Sequence, residues 1–470
     1  VLEVVPEALV PLSPDWWVKR LYTRLVDRRG EVDFFNDYYI GNHPLPWLAP
    51  QAREEFRRVL NMTRSNYMGL VCDATAERLS VEGFRFGTDG SADKDTWRIW
   101  QANNLDSDSD MAWLEALICG VSYFHVSPNP KDASTPSVWV EHASQAIVEH
   151  EPGTNRRVAA ASLKVWDDDW TGEIHATMQL AADNLLYKFK ARRPTGGATS
   201  AKNLHWDERE VSGEQPNGLR KNPLGEVSMV EVPNNPRLLT GGVSELFDLT
   251  DIQDRINKTM ADRLITQDYG AFPQKWAVAW PNEDDDGNPN QIDVGRNRMV
   301  TTEVKETKFG QWDAADLDPY SSAKREDVKD IASRSRTPAQ YLLGEMSNVN
   351  GETLKASESG LVSKIKQRHR PFGEAAEKAM RITRRAAGLS TPEDARMETI
   401  WTNPQYRTEG ELTDAVIKRV SAGLSSLRQG REDIGYTATQ IAQLEADDDA
   451  AATRESTVGV KAVLDAAAGG

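Results

Sequence analysis

Apolar residues recur at helical spacing near the start of the chain. Trp16, Trp17, Leu21 and Leu25 share one face, which predicts a helix. The segment Tyr38 to Pro46 carries Gly41, Pro44 and Pro46 and reads as a turn into extended backbone. Helical runs follow over Arg53–Leu60 and Asn66–Leu79, then a strand over Val81–Phe86. Trp97–Asn103 and Asp110–Cys119 read as two more helices, and Gly120 ends the second.

Strand-like alternation takes over at Val121–Val126, Val138–Val140, Ala146–His150, Val158–Trp166, Gly172–Leu180 and Tyr187–Lys190. Arg192–Leu224 is rich in Gly, Asn and Ser and reads as a long loop or a weak hairpin. The clearest helix opens at Gly242 and Ser244, with Ser244 as its expected N-cap. Leu249, Ile252, Ile256, Met260 and Leu264 form its stripe. Its other face carries Glu245, Asp248, Asp251, Asp254, Asp262 and Asp268 against Arg255, Lys258 and Arg263. A small β excursion spans Phe272–Trp312, broken at 281–290, and helix resumes to about Ser335. After an interruption at Thr337–Gly351, a long helical pattern runs from Glu352 to about Ala387, with Pro371 expected to break it. Short helices are expected at Glu409–Ala422 and Glu432–Glu445, and the Ala/Gly-rich tail after them is expected to be poorly ordered.

This is an α+β pattern on 470 residues, long enough for about three domains. Charged residues make up 27% and apolar ones 39%, a balance that supports packed cores. No apolar run reaches the roughly 18 residues of a membrane helix. The opening VLEVVPEALV has no basic flank, so no signal peptide is expected. Asp and Glu number 72 against 56 Lys and Arg, a formal charge of −16. An acidic chain does not clamp nucleic acid, because duplex affinity comes from cations that neutralise phosphates. It can still let a nucleic acid slide past.

Candidate chemistry is sparse. Gly-Lys, HExxH, GxSxG and GxGxxG are all missing, which removes the corresponding nucleotide, metalloprotease, hydrolase and dinucleotide sites. Cys72 and Cys119 cannot make a disulfide framework or a zinc site by themselves, and a reducing compartment is expected. His142 and His150 flank one strand-turn unit and are expected to be structural. Asp106, Asp108 and Asp110 could hold a hard cation, and the expected role is to cap the Met111–Cys119 helix. The run 282–293 partly matches a calcium loop, with Asp284, Asp286 and Gly287 in place, but it reads as a solvated hairpin tip. No cofactor or metal is expected.

Four pieces carry a resemblance: FNDYYIGNHPLPWL (35–48), NYMGLVCDATAERLSVEGFRF (66–86), the helix–β insert–helix block 244–335, and TPAQYLLGEMSNVNGETLKASE (337–358). Together they resemble the portal proteins of tailed bacteriophages, in the siphophage branch common in phages of actinobacteria. The resemblance implies a phage portal fold with wing, stem, clip and crown regions, assembling into a ring, usually of twelve subunits, at one capsid vertex. Double-stranded DNA would pass non-specifically through it during packaging and ejection. It implies a wing over 1–241, stem helix one over 242–269, a clip over 270–318 and stem helix two over 319–335. A tunnel loop would span 336–352. A long kinked helix with a return to the wing would span 353–403, a helical crown 404–450, and a tail 451–470.

On that mapping Glu245, Asp248, Asp251 and Asp254 face the channel. Trp276, Trp280, Asp284, Asp286 and Gly287 belong to the clip. Tyr341, Leu342, Leu343, Gly344, Glu345 and Met346 form the tunnel loop and project into the bore. The implied partners are other copies of the chain, the major capsid protein, the terminase during packaging and the head-completion or adaptor protein of the tail, with no membrane. The location would be the virion, and the host cytoplasm during assembly.

Elementary packing agrees with such a bore. Twelve helices spaced about 9–10 Å apart close a circle about 37 Å across, axis to axis. Removing one helix diameter leaves roughly 27 Å clear, enough for a duplex. The long helix carries Lys364, Lys366, Arg368, Arg370, Arg381, Arg384 and Arg385, expected to pair with carboxylates of a neighbouring subunit or to touch DNA. Two other readings compete: another virion structural protein, such as a head-tail adaptor or minor head protein, and a metal-dependent nuclease built on Asp106–Asp110.

Overall fold

In the computed structural model the described residues are 10–48, 57–86, 92–193, 204–209, 220–271, 275–279, 305–311, 313, 315–344, 351–405, 409–437, 439–451 and 453–454. The chain opens with α1 (Pro14–Tyr39), α2 (Arg57–Asn61), α3 (Met68–Ala76), β1 (Val81–Phe86), α4 (Lys94–Ala102) and α5 (Leu105–Cys119). Nine strands follow: β2 (Val121–Ser127), β3 (Ser137–Glu141), β4 (Ala146–His150), β5 (Ala159–Asp168), β6 (Glu173–Leu180), β7 (Leu185–Arg192), β8 (Asp207–Glu208), β9 (Arg220–Lys221) and β10 (Met229–Pro233). Then come α6 (Thr250–Ala271), β11 (Lys275–Val278), β12 (Lys308–Gln311), α7 (Asp318–Ser335), α8 (Ala339–Leu343) and α9 (Gly351–Ala386). A 3-10 turn (Pro392–Arg396), β13 (Met397–Trp401), α10 (Glu409–Ser421) and α11 (Leu427–Ile434) complete the named elements.

The chain divides into two units. The larger holds 1–41, 66–250 and 332–470; the smaller holds 42–65 and 251–331.

In the larger unit, β4 to β8 form an antiparallel meander with β9 added on β7. Ser13 accepts a hydrogen bond from Trp16 N at 3.3 Å and Pro14 sits in the first turn, so α1 starts where a capped helix should. Val18, Leu21, Tyr22 and Leu25 of α1 bury against Ile147, Leu163, Val165, Ala176, Met178 and Phe189 of the meander. The helical period of α1 meets the two-residue period of the strands there. A second core is aromatic. Trp113 of α5 is fully buried and stacks on Phe372 of α9 at 5.1 Å between centroids, with Phe124 and Trp401 at its edges. The ladder β10-β2-β3 and the pair β1-β13 frame it.

Several expectations change. The helix expected to open at Gly242 and Ser244 begins at Thr250. Ser244 Oγ instead accepts from Leu246 N at 3.1 Å in a turn. Gly242 serves a close approach, since a Cβ there would meet Gly120 O at 2.0 Å. Helix α9 runs through Pro371 without a break. One backbone hydrogen bond is lost at Pro371, and burial of Phe372, Ala375 and Ala376 beside it offsets that cost. The helix expected over Glu432–Glu445 is interrupted at Gly435, which takes a left-handed conformation (φ 100°). Helix α5 starts at Leu105, behind Asn104, which makes no side-chain cap bond; Asp106 and Asp108 lie in its first turn and are not its cap. The loop expected over Arg192–Leu224 contributes two short strands to the meander.

Candidate functional site

The smaller unit is organised by α6 and α7. Arg255 on α6 reaches Asp327 at 2.7 Å and Asp330 at 2.9 Å on α7, and Thr266 Oγ1 lies 3.2 Å from the Tyr320 hydroxyl. Rising numbers on α6 meet falling numbers on α7, so the two helices pair antiparallel. Ile252 and Ile256 of α6, and Val328 and Ile331 of α7, are buried. A second face of α6 is polar and equally buried: Gln253 and Asn257 are fully enclosed. Asn257 Oδ1 accepts from Ser65 N at 3.2 Å and its amide nitrogen lies 3.1 Å from His43 Nδ1. His43 and Ser65 are thereby fastened to α6 by the Asn257 amide, as burial demands of polar groups. Beyond α6, β11 and β12 form an antiparallel ladder in which Trp276 lies across Gly310. A Cβ at Gly310 would meet the indole at 2.3 Å, so this position holds glycine for space. Of the other expected clip residues, Trp280, Asp284, Asp286 and Gly287 lie outside the described residues.

Of the four carboxylates expected to face a channel, Asp248 and Asp251 are exposed and Asp254 is half-buried. Glu245 is a correction. It precedes α6, and its side chain is only 7% exposed between Lys364 Nζ at 3.2 Å and Arg368 Nη2 at 2.8 Å. Burial acts to raise its pKa, but the two cations overcome this and hold it at about 2. Lys364 also donates to Ser335 O at 2.8 Å, at the end of α7. Glu245 N donates to Leu117 O of α5 at 2.8 Å. One ion cluster therefore joins the turn before α6, the last residue of α7, α5 and α9.

The acidic stripe shrinks accordingly. Within α6 itself stand Asp251, Asp254, Asp262 and Asp268 against Arg255, Lys258 and Arg263, a difference of one. Lys258 pairs with Asp262 one turn on. On α7, Asp318, Glu326, Asp327 and Asp330 balance Lys324, Arg325, Lys329 and Arg334.

The loop expected over 336–352 also differs. Ala339–Leu343 forms the short helix α8, closed by Gly344 in a left-handed conformation. The Tyr341 hydroxyl donates to Glu358 and accepts from Arg78 Nη2 at 2.7 Å, and Leu342 is buried. Tyr341 and Leu342 anchor this segment to the body and do not project. Glu345 and Met346 lie outside the described residues.

On the basic helix, Lys364, Arg368 and Arg384 are buried in pairs within the chain, which corrects the expected intersubunit or DNA role for these three. Lys364 and Arg368 hold Glu245. Arg384 is buried, reaching Asp394 at 3.1 Å, Asp93 at 2.9 Å and Thr96 Oγ1 at 3.1 Å, with Phe86 beneath it. Arg385 pairs with Glu226 at 2.5 Å, and Arg381 lies 4.0 Å from Glu377. Lys366 and Arg370 remain exposed. The partners Asp93, Asp394, Glu226, Glu358 and Arg78 were not legible as such. Asp93, Glu226 and Arg78 are more than 150 residues from the side chains they meet, and an isolated charge carries no sign of its partner. Asp106, Asp108 and Asp110 do not converge. Positions 106 and 110 share a helix face, and 108 lies on another.

The sequence profile of phage portal proteins of the SPP1 Gp6-like type matches residues 19–454. This chain belongs to the phage portal protein family. The portal protein of Mycobacterium phage D29 is 30% identical to it over 391 residues, covering 79% of this chain and 76% of that protein. That of Mycobacterium phage L5 is 30% identical over 396 residues, again 79% and 76%. Both relatives come from phages of an actinobacterial host genus, the branch that the sequence motifs resemble. Among solved structures, the neck of an empty GTA particle aligns with 83% of the portal chain and 95% of its own, at a TM-score of 0.45 and 13% identity. No helix among the described residues of the portal is long and apolar enough to cross a membrane.

Proposed function

We propose that this portal closes into a ring at one capsid vertex and conducts double-stranded DNA during packaging and ejection. It would also offer docking surfaces to the major capsid protein, the terminase and a head-completion or adaptor protein. The role assigned is structural. The observation that carries the reading is a portal-family match from residue 19 to 454 on a chain in which 251–331, with 42–65, forms its own unit. The charge on that helix pair supports it. With cations balanced by carboxylates, a bore lined by such helices has little to grip phosphate with. A conduit needs this, since adhesive contacts would stall a moving polymer. The expected acidic, repelling surface becomes a near-neutral, non-adhesive one. Leu238 and Leu239, 88% and 97% exposed, and Trp170, 99% exposed, are apolar surface suited to burial between copies.

Ring closure through heterologous contacts gives one discrete mass. Mass photometry of the purified chain across a range of salt and protein concentration is expected to show a single large species at an integer multiple of the subunit. Monomers under every condition would contradict the proposal.

A further inference from the structure

At the C-terminal end of α5, three donor atoms of different chemistry converge. Glu115 and Cys119 lie four residues apart on one helix face, and His142 follows β3 directly. Glu115 Oε2 lies 3.1 Å from His142 Nε2, and the Cys119 sulfur lies 3.7 Å from each of those atoms. We propose that Glu115, Cys119 and His142 form a three-ligand site for a borderline-soft divalent transition ion of the zinc class.

The edge lengths support this. Zinc bonds of about 2.3 Å to sulfur and about 2.0–2.1 Å to nitrogen and oxygen, set tetrahedrally, put donor atoms about 3.3–3.6 Å apart. The three observed separations, 3.1, 3.7 and 3.7 Å, bracket that range, so small side-chain shifts complete it. A plain hydrogen bond accounts for the Glu115–His142 contact. The thiol likewise donates to Glu115, and a shared ion would use all three atoms, which lie within 3.7 Å of one another. The ligand set selects the ion class: thiolate and imidazole suit zinc or cobalt, while magnesium and calcium take oxygen. The last turn of α5 contains no basic residue, so the negative end of its dipole favours a cation there. Arg28, the cation that acts on this thiol, is committed to the carbonyls of Ala143 and Ala146 and to the Tyr123 hydroxyl.

A second contact supports the imidazole. His142 Nδ1 accepts from Ser144 N at 3.1 Å and lies 2.8 Å from Ser144 Oγ. Ligation through Nε2 requires the ring proton on Nδ1, which gives up the Ser144 N bond and leaves Ser144 Oγ as the acceptor, a usual outer partner of a metal-bound histidine. Binding as the thiolate releases the Cys119 proton to solvent. Glu115 and His142 are each about a third exposed, which gives the ion an entry path and leaves a fourth position for water.

The test uses the full chain, stripped with a chelator and titrated with cobalt(II). The expected result is one equivalent bound per chain, with a thiolate-to-cobalt charge-transfer band that zinc abolishes by displacement. Cys119→Ser is expected to remove the band, His142→Gln to weaken binding at least tenfold, and Cys72→Ser to leave both unchanged. The wild-type spectrum decides whether or not a variant folds: no thiolate band at saturating cobalt overturns the proposal. A band that survives Cys119→Ser and disappears in Cys72→Ser overturns it as well.

Discussion

Replacing Glu245 with alanine is expected to destabilise the subunit by about 3–5 kcal/mol, because it strands two buried cations. Lys364 and Arg368 are 3% and 8% exposed and have Glu245 as their common carboxylate. Urea unfolding of variant and parent side by side measures the loss as a drop in midpoint at constant slope. Replacing all three residues together with apolar side chains of similar volume is expected to restore most of the stability, since such exchanges are commonly neutral or better. A full-sized loss in the triple variant would mean that the cluster stabilises by more than mutual neutralisation.

The same cluster sets part of the acid response. Glu245 is held at about 2 in the folded chain, against an ordinary 4.5. Between those values the unfolded chain binds the extra proton, so stability falls as pH falls. The full effect is about 3 kcal/mol, present above pH about 4.5 and gone below about 2. His369 acts at higher pH. Burial, reinforced by Lys366, lowers its pKa to about 4 from 6.5, and its ring stacks on Trp401 at 4.5 Å. Its contribution is present above pH 6.5 and is lost as pH falls toward 4. Acid titration is therefore expected to show two successive losses, with His369→Phe removing the earlier one. A single loss below pH 4 in the parent would contradict this.

Trp113→Ala is expected to cost about 3–5 kcal/mol, as the deletion of a fully buried aromatic side chain does. The indole meets three other rings within 5.6 Å and joins α5, β2, α9 and β13. Its N–H has no hydrogen-bond partner among the described residues, so Trp113→Phe sacrifices volume alone and is expected to cost less than half as much. Equal losses for the two variants would show that the indole nitrogen matters.

Elements with a strict period were legible. The strands expected at 81–86, 121–126 and 146–150 begin where β1, β2 and β4 do, and the expected stripe falls on α6 from Ile252 to Leu264. A period reports which face is buried, not where a helix starts. Leu249 continues the apolar spacing into a turn and Ser244 has the chemistry of an N-cap, which put the expected start six residues too early. Charge was less legible. An acidic residue at helical spacing from Asp248 and Asp251 looks solvated, and only the fold shows that Glu245 meets cations more than a hundred residues away. The same blindness hid the Glu115, Cys119 and His142 convergence, because a helix end and a strand end supply its halves. It also made α9 look like a surface offered to neighbours, when most of its cations close contacts within the chain.

The most direct test of the ring conduit is an electron-microscopy reconstruction of the purified assembly viewed along its axis. The account expects a closed ring with an open bore wide enough for a duplex, lined by α6 and α7 with their charges in near balance. A solid core, or a bore lined from end to end by arginine and lysine, would contradict it.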